Sequence, residues 1–298
     1  MSNEVSSRHL RAVDNSEQAL IELFAGQPPQ VVVLAGERIS KPLVERMKRS
    51  SPREMFLPID SHRPGDNGDT SKATIGKLGG VNVVIIQGRV HANEGGGPLS
   101  SVVIPRAAAL AAKDATFLLL NASTGITIGN PTAGQIAIVG DHISSYADMN
   151  PLKGELSLIE RFGSCRTIIE YDTELRRIAA EVLSRTKVAG EKFEQDFVYL
   201  MAPGPQLPTA AELTMYARSS GADLVGNPLP EILALCQMKR RALALSLVAD
   251  SMISGILPND GKLKSISQHA ESFAERVEGL LAHLVPVPVG DERKTAAV

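Results

Sequence analysis

The sequence predicts a single α/β layer sandwich, a central sheet covered by helices on both sides. Three observations carry that prediction. Short apolar or β-branched runs alternate along the chain with longer runs of helical spacing. The strand-like runs are apolar along both faces, as in a sheet buried on both sides rather than one half exposed to water. No stretch is rich enough in Pro, Gly or Ser to act as a linker, and no internal repeat is visible. With 298 residues, the chain can bury a sizeable core.

Taken in order, the strand runs are QVVVLAG, VNVVIIQG, TFLLLNAS, QIAIVG, FVYLMAPG and ALALSLVAD, ending in or near Gly, Asn or Asp. The helical runs are VVIPRAAALAAKD, DTELRRIAAEVLSRTK, TAAELTMYARSSG, LPEILALCQMKRR and SQHAESFAERVEGLLAHL, with suitable start and stop residues. Residues 1–15 and 289–298 read as poorly ordered ends flanking one domain over 16–288.

Composition narrows the function classes. Hydrophobic residues make up 43 % and charged residues 21 %, and the net charge is −2, so nothing electrostatic favours nucleic acid or an anionic membrane as partner. Trp is absent and aromatics are 4 %, against a stacking platform for single strands. No run approaches the ~18 apolar residues of a membrane span, and MSNEVSSRHL carries no apolar signal core, so a cytoplasmic protein is expected. Cys165 and Cys236 have no metal-ligand spacing and read as free thiols.

In such folds ligands gather at the carboxyl ends of strands. There QGRVH places Arg89 and His91 two residues apart, on one face of a continuing strand, where both can donate to an anion; a surface pair between Arg89 and Glu94 is the plain alternative. In LNASTG, Asn121, Ser123 and Thr124 either present polar groups to a ligand or shape a turn. Asp66 and Asp69 in RPGDNGD read as a solvated turn rather than a cation loop. NEGGGP lacks the Gly-Lys-Ser/Thr of a P-loop, and no nucleophile elbow or paired-Cys zinc signature occurs.

Eight motifs in register, PQVVVLAG, PGDNG, QGRVHANEGG, LNASTG, GDHISS with NPLKG, YLMAPGPQLPTAAE, GADLVGNPLPE and LSLVAD, resemble the trimeric purine nucleoside and methylthioadenosine phosphorylase family over roughly residues 28 to 285. The resemblance implies a three-layer fold with a central mixed sheet, a homotrimer with sites near subunit interfaces, and no cofactor other than phosphate as co-substrate. It implies cleavage of a purine N-glycosidic bond through an oxocarbenium-like state attacked by phosphate. It places Arg89, His91 and the Ala122 backbone at phosphate, Tyr199 at the approach to the base, His269 near the ribose 5′ position and Asp250 at the base. An Asp there accepts from a 6-amino group or shares a proton with N7, which favours a 6-aminopurine.

The departures are Glu37 and Pro228 in place of phosphate-binding hydroxyl residues, Asp66 in place of a histidine, Asn227 in place of a methionine under the ribose, and Pro208 in place of the glutamate that reads oxopurines. A carboxylate ~4–6 Å from a phosphate dianion costs on the order of a kcal/mol or more, and each lost charge-assisted hydrogen bond a further ~1.5–3 kcal/mol. Three readings therefore stay open: a divergent phosphorylase; a nucleosidase in which Glu37 or Asp66 orients water; and a non-catalytic nucleoside-binding relative. A salt bridge from Glu37 to Arg89 is the expected sign that the protein's own carboxylate fills the cradle.

Overall fold

A computed structural model describes residues 3–58, 71–88, 97–127, 131–145, 150–152, 156–164, 166, 169–186, 196–202, 204, 206–227, 229–251 and 259–285. Helix α1 (Asn3–Phe24) opens the chain, followed by β1 (Val31–Ala35), α2 (Glu37–Met47), β2 (Arg53–Phe56), β3 (Lys72–Leu78) and β4 (Val81–Gln87). After α3 (Gly97–Ser100) and α4 (Val103–Ala111) come the ten-residue β5 (Thr116–Gly125) and β6 (Ile136–Ser144). The second half holds α5 (Leu156–Phe162), α6 (Thr173–Arg185), β7 (Phe197–Met201), α7 (Ala210–Ser219), β8 (Leu224–Gly226), α8 (Pro230–Gln237), β9 (Ala242–Ser251) and α9 (Asn259–Leu281).

Among the described residues nine strands join one mixed sheet in the order β2-β3-β4-β1-β5-β8-β7-β6-β9, and β9 also pairs with β5. The strands β5, β8, β7, β6 and β9 thus close on themselves, while β2 to β4 and β1 extend as an open wing. Pleating splits the core as the sequence pattern requires. Val32, Leu34, Phe117, Leu119, Ala242 and Ala244 point into one cluster with α1, α4 and α8. Val31, Val33, Leu118, Leu120, Leu243 and Leu245 point into the other with α2, α6 and α9. The predicted α/β/α layering is the observed one.

Several elements differ from expectation for identifiable reasons. The start of the chain is not a loose end: α1 buries Ala12, Val13, Leu20, Leu23 and Phe24, a helical stripe that α4 covers. The strand pair β3–β4 turns at Gly79 and Gly80, both with positive φ, a tight connection that only glycine makes without strain. A side chain at Gly79 would also meet the Glu278 carbonyl at 2.6 Å. The boundary at 288 and the tail at 289–298 lie outside the described residues. Cys236 is a free, buried thiol that donates to the Glu170 carbonyl, and Cys165 lies outside the described residues. Among the described residues no helix is long and apolar enough to cross a membrane.

Helix α1 is held by a buried polar contact. Arg106, 1 % exposed, lies over the Phe162 ring at 4.3 Å and donates to His9 Nε2 at 2.8 Å and to Gln237 at 2.8 Å. Arginine has no acceptor, so the His9 Nε2 must carry a lone pair and the ring is neutral. Burial first, and the Arg106 charge second, pull the His9 pKa down to about 3. The unfolded chain binds this proton near pH 6.5 and the folded chain does not until about 3, so stability falls as pH drops through that window, by up to about 1.4 kcal/mol per pH unit. Denaturant titrations of a His9→Gln variant, which keeps an acceptor for Arg106, are expected to show a shallower loss of stability between pH 6.5 and 3 than the wild type.

Candidate active site

The open wing and the closed ring meet at β1, β4 and β5. Strand β1 lies between β4 and β5 and is parallel to both, with Ala35 level with Gln87 on one side and Leu120 on the other. The chain leaves β1 for one neighbour and returns to the other, so the carboxyl ends form a switch-point crevice. Gly36, Gly88 and Asn121 emerge there at one level. A short polar chain fixes the rim: Gln87 Nε2 donates to Ser40 Oγ at 3.2 Å, and Ser40 Oγ donates to the Gly36 carbonyl at 2.9 Å.

Glu37 is the first residue of α2, exposed, at the edge of an open groove shared with Lys41, Lys72, Gln87 and Gly88. A carboxylate in that position interacts favourably with the helix N-terminus. Arg89, His91, Asp66 and Pro228 lie outside the described residues, and with them the expected Glu37–Arg89 contact.

Strand β5 carries the crevice from this rim to a second hollow. From Asn121 to Thr124 the strand advances about 10 Å. The hollow at its end, about 490 Å³ and open to solvent, is lined by Thr124, Leu207, Pro208, Asn227, Asp250 and Lys262 among others. Ala202, Leu213 and Val225 give it apolar walls.

The local backbone explains how Asp250 reaches it. Ser123 pairs with Val248 and Thr124 with Asp250, so Ala249 is an extra residue on β9. Without that bulge Ala249 would face Thr124, and Asp250 would sit one step further on. The Ala249 carbonyl accepts from Ser265 Oγ of α9 at 2.6 Å. Lys262 precedes Ser265 by three residues, on the same helical face, and its Nζ donates to Thr124 Oγ1 at 3.0 Å. Burial pushes the Lys262 ammonium below the usual lysine range, and the nearby Asp250 charge opposes that shift.

The remaining sequence-predicted residues divide. Asp250 and Asn227 line this hollow with Thr124. Ala122 is half-buried on β5 between the two hollows, and its carbonyl lies 3.1 Å from where a Cβ on Gly226 would stand. Ser123 is fully buried and accepts from Ser246 Oγ at 2.7 Å, so its side chain serves the β5–β9 pairing. Tyr199 is fully buried as well: its hydroxyl accepts from Asn121 Nδ2 and donates to the Asn227 carbonyl at 3.0 Å. It ties β5 to the β8 turn, and only glycine fits at position 226, where a Cβ would stand 2.1 Å from the hydroxyl. His269 lies on α9 seven residues beyond Lys262, roughly 10 Å along the axis, with its ring against Gly134; the structure does not bring it to this hollow.

The sequence motifs point to neither Lys262 nor the bulge. PNDGKLKSIS reads as a polar helix start, and the only available signal is the three-residue spacing from Lys262 to Ser265.

The phosphorylase superfamily model matches residues 42–286, and the chain belongs to that superfamily. It is 28 % identical over 269 residues to bovine purine nucleoside phosphorylase, covering 87 % of this chain and 90 % of that one. It is 29 % identical over 223 residues to purine nucleoside phosphorylase of Mycobacterium leprae, covering 74 % and 76 %. A crystal structure of Schistosoma purine nucleoside phosphorylase in complex with hypoxanthine superposes with a TM-score of 0.79 at 24 % identity, covering 93 % of this chain and 98 % of that one, and shares its fold.

Replacing Tyr199 by Phe keeps the ring and removes both hydroxyl bonds. Tyr199→Phe is expected to cost about 1 kcal/mol or more, because the buried Asn121 amide loses this partner, as measured by urea unfolding.

Proposed function

We propose that this protein cleaves the N-glycosidic bond of a purine-type nucleoside by phosphorolysis. The observation that carries the reading is the match to bovine purine nucleoside phosphorylase over 87 % of this chain. The crevice geometry supports it: a rim at Gly36 and Gly88, a strand about 10 Å long from Asn121 to Thr124, and an apolar hollow ending in Asp250. Phosphate at the rim and base in the hollow would leave the ribose over Ala122. Phosphate attacks C1′ and forms the new C–O bond, while the C1′–N9 bond breaks and its electron pair leaves with the purine.

Within this reading Arg89 and His91 hold phosphate, helped by the Ala122 backbone, and Asp250 engages the base. Asn227 sits at the sugar side of the hollow, and Tyr199 acts as a positioning residue. Phosphate is the co-substrate and no other cofactor is invoked. Glu37 at the rim makes the phosphate end divergent, and weak phosphate binding follows from its charge. A homotrimer and a cytoplasmic location belong to the same reading. The exposed Phe56 and Leu156, 65 % and 68 % accessible, supply apolar surface for subunit contacts, and the free thiol of Cys236 suits a reducing compartment.

Incubation with a panel of purine nucleosides, followed by chromatography of bases and sugars, is expected to give base and ribose 1-phosphate only when phosphate is present. Base release without phosphate would replace this reading with a nucleosidase, and no release from any nucleoside would overturn it. Light scattering on a sizing column is expected to give about three times the 31.7 kDa chain mass.

A further inference from the structure

The base end of the crevice holds a cation that the proposed phosphorolysis has not yet used. Lys262 stands in the first turn of α9, where an ammonium opposes the helix dipole. It is partly buried at the wall of the hollow, beside Thr124 Oγ1 and Asp250. Burial and an unfavourable helix end both work against a charge there. The bulge at Ala249 and the Ser265 bond nevertheless fix that turn of helix against β9.

An ammonium has three donors and Thr124 takes one. A carboxylate offers only acceptors when ionised. The polar end of the hollow therefore presents one strong donor and one strong acceptor side by side, between the apolar side chains of Leu207, Pro208 and Val225. The N7/C6 edge of a 6-aminopurine is the complement, an acceptor at N7 and a donor at the amino group. A 6-oxopurine presents two acceptors on that edge, and one of them would face Asp250.

We propose that Lys262 is the acid that acts on the leaving base, donating from its ammonium to N7 of a 6-aminopurine nucleoside whose amino group is held by Asp250. The inference rests on the phosphorolytic reading above. As phosphate forms its bond to C1′ and the C1′–N9 bond breaks, the electron pair moves into the purine. The Lys262 proton passes to N7, a neutral purine leaves, and the lysine amine regains a proton from solvent. Desolvation of the ammonium makes it the stronger acid for this transfer.

The test uses the full-length chain and two probes, adenosine and 7-deazaadenosine, in which a C–H replaces N7. Calorimetry without phosphate is expected to show wild type binding adenosine about tenfold or more tightly than the deaza analogue. In Lys262→Met that ratio falls to about one, and kcat for adenosine with phosphate falls by about 10²-fold or more. Lys262→Arg keeps a donor but not a transferable proton, so it retains the binding ratio and loses kcat. Asp250→Asn moves the preference from adenosine toward inosine.

An unchanged binding ratio in Lys262→Met, full kcat in Lys262→Arg, or a wild type that prefers inosine would each overturn the inference while leaving phosphorolysis intact. If the Met variant does not fold, the Arg variant decides. A wild type that releases no base from any nucleoside overturns the phosphorolytic reading instead.

Discussion

Strand β5 is the constraint on which the rest of the molecule depends. It pairs with β1 from Thr116 to Leu120, with β9 from Phe117 to Gly125, and with β8 at its last two residues. Those pairings leave its first half no exposed edge, and its side chains enter both cores. Because side chains alternate with period two, this register fixes every face along the strand, and a one-residue slip would exchange the two cores. The rim of the crevice and the hollow that Asp250 lines lie at two points of the same strand, so the register also fixes their separation.

The hollow is made by departures from that regular ladder. A single extra residue on β9, Ala249, turns Asp250 toward Thr124. The carbonyl at the bulge finds its partner in Ser265, so helix α9 is anchored at the point where the sheet is irregular. Lys262 reaches the site as a consequence of that anchor. On the opposite wall Tyr199 links Asn121 to the Asn227 carbonyl across the space a glycine leaves open. The polar groups that shape the pocket are thus also those that satisfy backbone and side-chain hydrogen bonds where the strands diverge.

On the far face of the sheet, stability takes a different form. There a guanidinium is buried among neutral partners, with His9 held uncharged beside it and an aromatic ring beneath. The contact joins α1, α4, α5 and α8 through side chains with defined geometry, where apolar contacts alone would allow sliding. It lies apart from the crevice, and its consequence is for the acid stability of the fold.

The six central strands, the layering and the order of the motifs were legible in the sequence, because strands buried on both faces must be apolar throughout. The family resemblance, Asp250 and Asn227 came from the same motifs. Helix α1 is not legible because its apolar stripe is diluted by polar residues, nor is α2, where Pro42 and the charged residues mask the pattern of Ile39, Leu43, Val44 and Met47. The resemblance places His269 near the ribose 5′ position, and in the fold its ring lies against Gly134, two turns of helix beyond Lys262. Lys262 leaves only its three-residue spacing from Ser265 as a trace in the sequence. A lysine in a polar helix start looks solvated until a bulge after seven strand pairs along β9 and one serine hydroxyl bring that turn against the sheet. The sequence by itself determined which segments are buried on two faces, since apolar content is a local property. Only the tertiary structure decided which charges meet at the crevice, since their meeting depends on register and on one inserted residue.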